Sequence, residues 1–255
     1  MTIISKSKNL LFSSIFSAIT LSSLIAKPIL SGQTFTPTKF LVKFYSLGLS
    51  NPDRSKLFKV FDNSEGVEVD LSKSGSISNL ASGVKPVEGT YTHIYGVVSN
   101  TNTIAGSTGT CYIKAGSYNK KSVNGGSLTG WAAHTTNESE SGDALLTEQE
   151  FIPGTGSFGP VIPNTSISVQ GTKVSSMRLY LTNSSAPYTP SNDSNLSRDR
   201  SLYFGELPSP IIIKDASKGE VIITFDSRDG GTFDDNCSLG MDLINNKFTF
   251  SIIQD

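Results

Sequence analysis

Glu88–Asn100 reads EGTYTHIYGVVSN, and no other stretch constrains the fold as strongly. Its Thr, Tyr, Ile and Val side chains suit the pleated, half-buried surface of a strand. Pro86 stands just before the run, and Gly89 and Asn100 bound it, as turn residues bound strands. Alternation places Thr92, Ile94, Gly96 and Val98 on one face and Tyr91, His93, Tyr95 and Val97 on the other. The difference between the two faces predicts a strand that packs a core with one face only. No stretch carries a helical pattern of comparable strength.

Other segments share this period of two. Phe40, Val42 and Phe44 alternate with Leu41, Lys43 and Tyr45, and Asn51-Pro52-Asp53 turns the chain. Lys56–Asp62 alternates again, and Asn63-Ser64-Glu65-Gly66 has turn chemistry leading into Val67–Leu71, which predicts a hairpin. Ser72–Lys85 reads as a loop. Ile104–Ala115 reads as the next strand after the organising one. Further strands are expected at Ser166–Gly171, Ser175–Thr182, Ser209–Lys214, Glu220–Phe225 and Lys247–Gln254, with Pro208 and Pro210 suiting an edge or a strand entry.

Abundant Ser, Thr, Asn and Gly, with 17% charged residues in a chain of 255, fit many strands joined by polar turns. The formal net charge of −1 gives no basic field, which argues against a nucleic-acid partner. These features predict an all-β chain, an antiparallel β-sandwich of immunoglobulin- or transthyretin-like build with long polar loops.

Three pieces in order, a first strand ending near Leu47, VEVDL at 67–71, and a proline followed by EGTYTHIYGVV, resemble exported bacterial β-sandwich domains of unknown function. Those domains carry a hydrophobic-Asp-Leu motif followed by Gly-x-Tyr-x-x-Ile. The likeness covers about Thr38–Asn100. It implies a sandwich fold like that of sugar-binding or adhesive immunoglobulin-like domains and brings no catalytic residues with it.

The N-terminus has the order of a secretory signal peptide. Lys6 and Lys8 precede an uncharged apolar run from Leu10 to Ala26, and Ala26, Ser31 and Gly32 are small residues near its exit. A signal peptide over 1–32 and a single domain over 34–255 are expected, and a retained membrane anchor is the alternative reading. Cutting after Gly32 removes Lys6, Lys8 and Lys27 and no acidic residue, giving a mildly acidic product with no membrane span.

Two long polar loops are expected, at about 115–149 and 183–201, the first with a weak helical pattern at Asp143–Glu148. The first holds the single tryptophan, Trp131, with Tyr118 and His134 nearby. Trp131 and Tyr118 are candidates for a glycan-binding platform, and burial of Trp131 under the loop is the alternative. Gly154, Gly156 and Gly159 spell a dinucleotide fingerprint, but Pro160 and Pro163 deny it the helix on which that motif depends.

Chemistry-bearing residues are sparse. His93 and His134 are the two histidines, and no His-x-Glu, Cys-x-x-Cys or Gly-x-Ser-x-Gly spacing accompanies them. Asp226, Asp229, Asp234, Asp235 and Asn236, with Gly230 and Gly231, are oxygen ligands of the type calcium takes, although their spacing departs from the helix-loop-helix calcium site. A solvated turn is the other reading, and no other cofactor is indicated. Cys111 and Cys237, an even pair in an exported chain, are expected to form a disulfide, with two buried thiols as the alternative.

Together these readings point to an exported, non-catalytic interaction or adhesion module with a protein or glycan partner. A structural envelope protein and a carboxylate-based hydrolase are the alternatives.

Overall fold

A computed structural model describes residues 33–122, 133–151, 161–163, 165–188, 199–215, 219–233, 236–237, 239–241 and 246–253. All of them belong to the unit Ser31–Asp255, whereas Met1–Leu30, which holds the expected signal sequence, lies outside the described residues.

The strands run in chain order as follows. β1 (Gln33–Phe35), β2 (Lys39–Ser50), β3 (Leu57–Asp70) and β4 (Gly89–Ala105) open the chain. Short β5 (Tyr112–Ile113), β6 (Gly116–Ser122), β7 (His134–Thr135) and β8 (Ala144–Phe151) follow. Next come β9 (Val161–Pro163), β10 (Ile167–Val169), β11 (Thr172–Lys173), β12 (Ser176–Thr182) and β13 (Arg200–Ile213). β14 (Glu220–Asp226), β15 (Gly231–Phe233), β16 (Leu239–Met241) and β17 (Lys247–Ile253) complete the fold. Helix among the described residues is limited to two 3₁₀ turns, Ser78–Ala81 and Glu138–Glu140.

The protein is all-β and sandwich-like. Its large sheet has the order β3-β2-β4-β13-β12-β9, with β8 and then β6 added beside the far end of β4. A smaller sheet, β11-β10-β17-β14, lies opposite. Val42, Leu47, Leu49 and Phe58 from the large sheet and Val221, Ile223, Phe250 and Ile252 from the small one bury into a common core. Antiparallel pairing dominates, but β10 pairs with β17 and β6 with β8 in parallel.

The organising strand is longer and more central than the sequence suggests. β4 continues through Asn100 to Ala105, because Lys39–Val42 pairs with Asn102–Ala105, so the strand expected at Ile104–Ala115 reduces to the end of β4 and the short β5. Both faces of β4 are covered, contrary to the one-sided expectation. Ile94 and Val98 enter the main core, while Tyr95 and Val97 join Tyr180, Leu202 and Phe204 in a second cluster on the outer face. Tyr188 roofs this cluster, edge-on to Tyr95 at 5.5 Å.

Asn63–Gly66 is not a hairpin turn. Lys56–Asp62 and Val67–Asp70 both pair with β2, because Phe44 faces Val67 and Ser46 faces Asp62, so the four residues between form a bulge in one long edge strand. The turn chemistry is still used: Asn63 Oδ1 accepts the N–H groups of Glu65 and Gly66, and Gly66 takes φ 74°. The hairpin turn is instead Asn51–Lys56, closed by Asn51 N–H to the Lys56 carbonyl at 3.2 Å.

The expected loop at 115–149 holds two strands of the large sheet, β6 and β8, and the helical pattern at Asp143–Glu148 is overturned by β8. Period two explains this, since Ala144 and Leu146 are buried and Leu145 between them is exposed. The other expected loop ends earlier than predicted, at the start of β13, and its residues 189–198 lie outside the described residues.

A second core sits beneath β8. Phe35, Ile104, Ile113, Leu146 and Phe233 bury there together with Cys111 and Cys237. The two cysteines form a disulfide with Cα atoms 5.4 Å apart, as the sequence predicts. Phe35 stacks on Phe233 at 4.9 Å, which fixes the three-stranded sheet β1-β15-β16 to this core.

Candidate functional site

The sequence-derived candidates separate in the fold. Trp131, Asp234 and Asp235 lie outside the described residues. Tyr118 is on β6 rather than in a loop, packs against the second core, and donates its hydroxyl to the Ala115 carbonyl at 3.2 Å. Its ring is thereby engaged with the chain itself. His134 pairs with Ile113 in a two-residue ladder, and its buried Nδ1 has no hydrogen-bond partner among the described residues.

In the acidic segment, Asp226 belongs to the end of β14 and grips Arg228. Arg228 Nε donates to both carboxylate oxygens, and Nη2 donates to Oδ2 at 2.6 Å. These guanidinium bonds hold the Asp226 carboxyl at about 2. Asp229 takes a left-handed φ of 57° and donates its N–H to Thr36 Oγ1. An ion using Asp226 has to displace the guanidinium first.

His93 lies on the outer face of the large sheet, stacked on Phe204 at 4.5 Å and 10°. The register sets Ser50 on one side of it and Glu206 on the other, a serine, histidine and carboxylate in line across three strands. The line does not form a nucleophile–base hydrogen-bond chain. His93 Nδ1 bonds Thr92 Oγ1 at 2.8 Å, and the buried Ser50 hydroxyl has no hydrogen-bond partner among the described residues. Burial holds the His93 imidazole below its ordinary value, and the nearby Arg54, whose guanidinium sits 5.0 Å from the Phe204 ring, acts in the same direction against Glu206.

Beside it, Tyr188 donates its hydroxyl to Ser46 Oγ at 3.0 Å and to Asp62 at 3.2 Å, and Lys59 sits over its ring while pairing with Asp62. Burial pushes the Tyr95 hydroxyl far above its ordinary value. Arg200 crosses the same face, its guanidinium 3.7 Å from the Tyr45 ring and Nη2 donating to the Ser64 carbonyl in the β3 bulge. These contacts close the outer face into a small core with a polar rim.

A concavity lies beside β13 where its sequence breaks the ladder. Glu206 pairs with His93 and Ile211 with Tyr91, so Leu207–Pro210 bulges out against the single residue Thr92. Pro208 and Pro210 explain the break: each lacks an N–H for the ladder. Between this bulge and the β10–β11 turn is a groove of about 230 Å³. Gln170 and Thr172 line it from the turn, Leu207, Pro208 and Ile212 from β13, and Ile252 from β17. Its lining among the described residues carries no charged side chain.

Three exposed aliphatic side chains lie in the same region of the fold. Ile212 is 55% exposed and Ile253 and Val87 are each 48% exposed. All three lie toward one end of the sandwich, since Ile212 pairs with Thr90 and a Cβ on Gly219 would lie 3.1 Å from Pro86 and 2.8 Å from the Ile253 carbonyl, but alternation with buried Ile213 and Ile252 turns Ile212 and Ile253 outward from two different sheets. Sequence reading flagged the two prolines as edge residues but missed Gln170, Ile212 and Ile253. The available signal was the Gln170-Gly171 dipeptide between two short alternating runs.

No family model, curated protein or solved structure matches the chain.

Proposed function

We propose that this is an exported, non-catalytic interaction module that binds a protein partner through the groove beside the β13 bulge. The carrying observation is an uncharged groove between the two sheets whose lining includes the exposed Ile212. Scattered apolar side chains are ordinary on a surface, so the groove rather than the separate exposed Ile253 and Val87 carries the reading. The groove's volume is below the roughly 300–1,000 Å³ of small-molecule pockets, which favours side chains of a larger partner as its contents.

The lining also separates protein from glycan. Sugars are held by flat aromatic faces together with polar groups, while the groove's lining among the described residues holds no aromatic side chain and its exposed apolar members include Pro208 and Ile212. A disulfide buried in the second core accords with an oxidising destination after export.

The test compares Ile212→Asp with Val67→Asp, a control at another exposed valine on the edge strand β3. A partner crosslinked to the natural chain in the producing cell, and shown to bind it directly once purified, is expected to be lost with Ile212→Asp and kept with Val67→Asp. Equal binding by both variants overturns the reading.

A further inference from the structure

The small sheet is one strand short beside the groove. β10 pairs with β17 only from Phe248 to Phe250, and the chain then leaves through Gln170-Gly171. Ser251–Ile253 therefore has β14 on one side and, among the described residues, no strand on the other. The Ile252 backbone is satisfied all the same. Gln170 Nε2 donates to the Ile252 carbonyl at 2.9 Å, and the Ile252 N–H donates to Gln170 Oε1 at 3.0 Å. One residue of an added antiparallel strand makes the same pair of bonds, so this carboxamide holds the place of a strand.

The backbone of the turn argues that the side chain is kept for that purpose. Val169 pairs with Thr172 across a two-residue connection whose residues both have positive φ, 52° at Gln170 and 74° at Gly171. Such turns favour Asn, Asp or Gly at the first position, because these enter the left-handed region at least cost. A glutamine there is sterically unfavourable, and its extra length is what reaches Ile252.

The opposite wall does not compete for pairing. Pro208 and Pro210 remove two donors from β13, so this wall offers apolar contact through the exposed Pro208 and Ile212 while β17 offers the hydrogen-bonding edge.

We infer that the groove accepts an extended segment of the partner protein, which displaces the Gln170 side chain, pairs with Ser251–Ile253, and seats aliphatic side chains against Pro208 and Ile212. The inference rests on the interaction-module reading and specifies its binding mode. Main-chain bonds supply affinity and alternate side chains supply selectivity, so the segment is an uncharged strand with aliphatic residues at every second position.

The probe is a seven-residue peptide of alternating valine and threonine, read by amide exchange at Ile252. Gln170→Ala is expected to lose protection at Ile252, and the peptide to restore it. The peptide binds Gln170→Ala at least about fivefold more tightly than the natural chain, the equivalent of one net hydrogen bond no longer competed away. Gln170→Glu keeps the acceptor for the Ile252 N–H and loses the donor, so it falls between the two and serves if the alanine variant does not fold. Ile212→Asp abolishes binding in either background.

Equal peptide affinity for the natural chain and the Gln170 variants, or binding that leaves Ile252 exchange unchanged, overturns strand addition. If that result accompanies a partner still sensitive to Ile212→Asp, only the binding mode falls; if no such partner exists, the module reading falls too. A concentration-dependent dimer of the natural chain that protects Ile252 assigns the groove to a second copy and overturns the partner.

Discussion

Replacing Cys111 and Cys237 by alanine removes a covalent tie between residues 126 apart in sequence. Chain entropy gives the magnitude. Closing a loop of that length in the denatured chain is worth about 5 kcal/mol, a ceiling that residual denatured structure lowers. Domains are stable by only about 5–15 kcal/mol, so the variant loses a large share of the total. The entropic loss is global, and the second core, where both cysteines pack with Phe35, Ile113 and Phe233, loses its covalent tie as well. Urea denaturation followed by circular dichroism measures it, and the slope of free energy against urea is expected to rise because the uncrosslinked denatured chain exposes more surface. Amide exchange is expected to accelerate first at Phe35 and Phe233. A variant within about 1 kcal/mol of the natural chain, with an unchanged slope, refutes the reasoning. Alkylation in denaturant without reductant then distinguishes an unformed bond from one that constrains nothing.

Three other outcomes are expected. Gly48→Ala destabilises by about 3 kcal/mol or more, because a Cβ there would lie 1.9 Å from the Phe58 carbonyl oxygen and backbone must move; a melting temperature equal to that of the natural chain refutes this. His93, held below its ordinary value by burial, binds its proton more readily in the unfolded chain. Its contribution to stability is therefore present above about pH 6.5 and is lost as pH falls toward the folded value. His93→Phe, which retains a ring on Phe204, is expected to flatten that part of the pH dependence of the urea midpoint. Arg228→Ala frees the Asp226 carboxylate, so any rise in melting temperature with calcium is expected to be larger in this variant, and an equal rise excludes Asp226 as a ligand.

How much of this was legible depended on whether the signal was local. Alternation in Phe40–Tyr45 and Glu88–Asn100 is set by side-chain chemistry along one strand, so strand identity and the all-β class could be read from the sequence. The same holds for the paired cysteines, where parity and the expected compartment sufficed. Partner choice is different. Asn63–Gly66 has the same turn chemistry in a hairpin and in a bulge, and only pairing of both flanks with β2 decides between them. β6 hides in polar, Gly-containing text because its ladder is made by the backbone, with Leu145 and Leu146 of β8 as register partners.

The groove was least legible of all. Pro208 and Pro210 announced an interruption, but the wall opposite comes from residues some 40 positions away at both ends, Gln170 before and Ile252 after. Gln170 in sequence is a polar residue before a glycine, and its role exists only because the parallel pairing of β10 with β17 stops at Phe250 and leaves the Ile252 backbone within reach of its carboxamide. The sequence by itself therefore determined the all-β class, the strands with strong local alternation, and that two cysteines were available to bond. Only the tertiary structure decided register, the closure of both faces of β4, and which strand edge remained open, because those depend on contacts between residues that no local period relates.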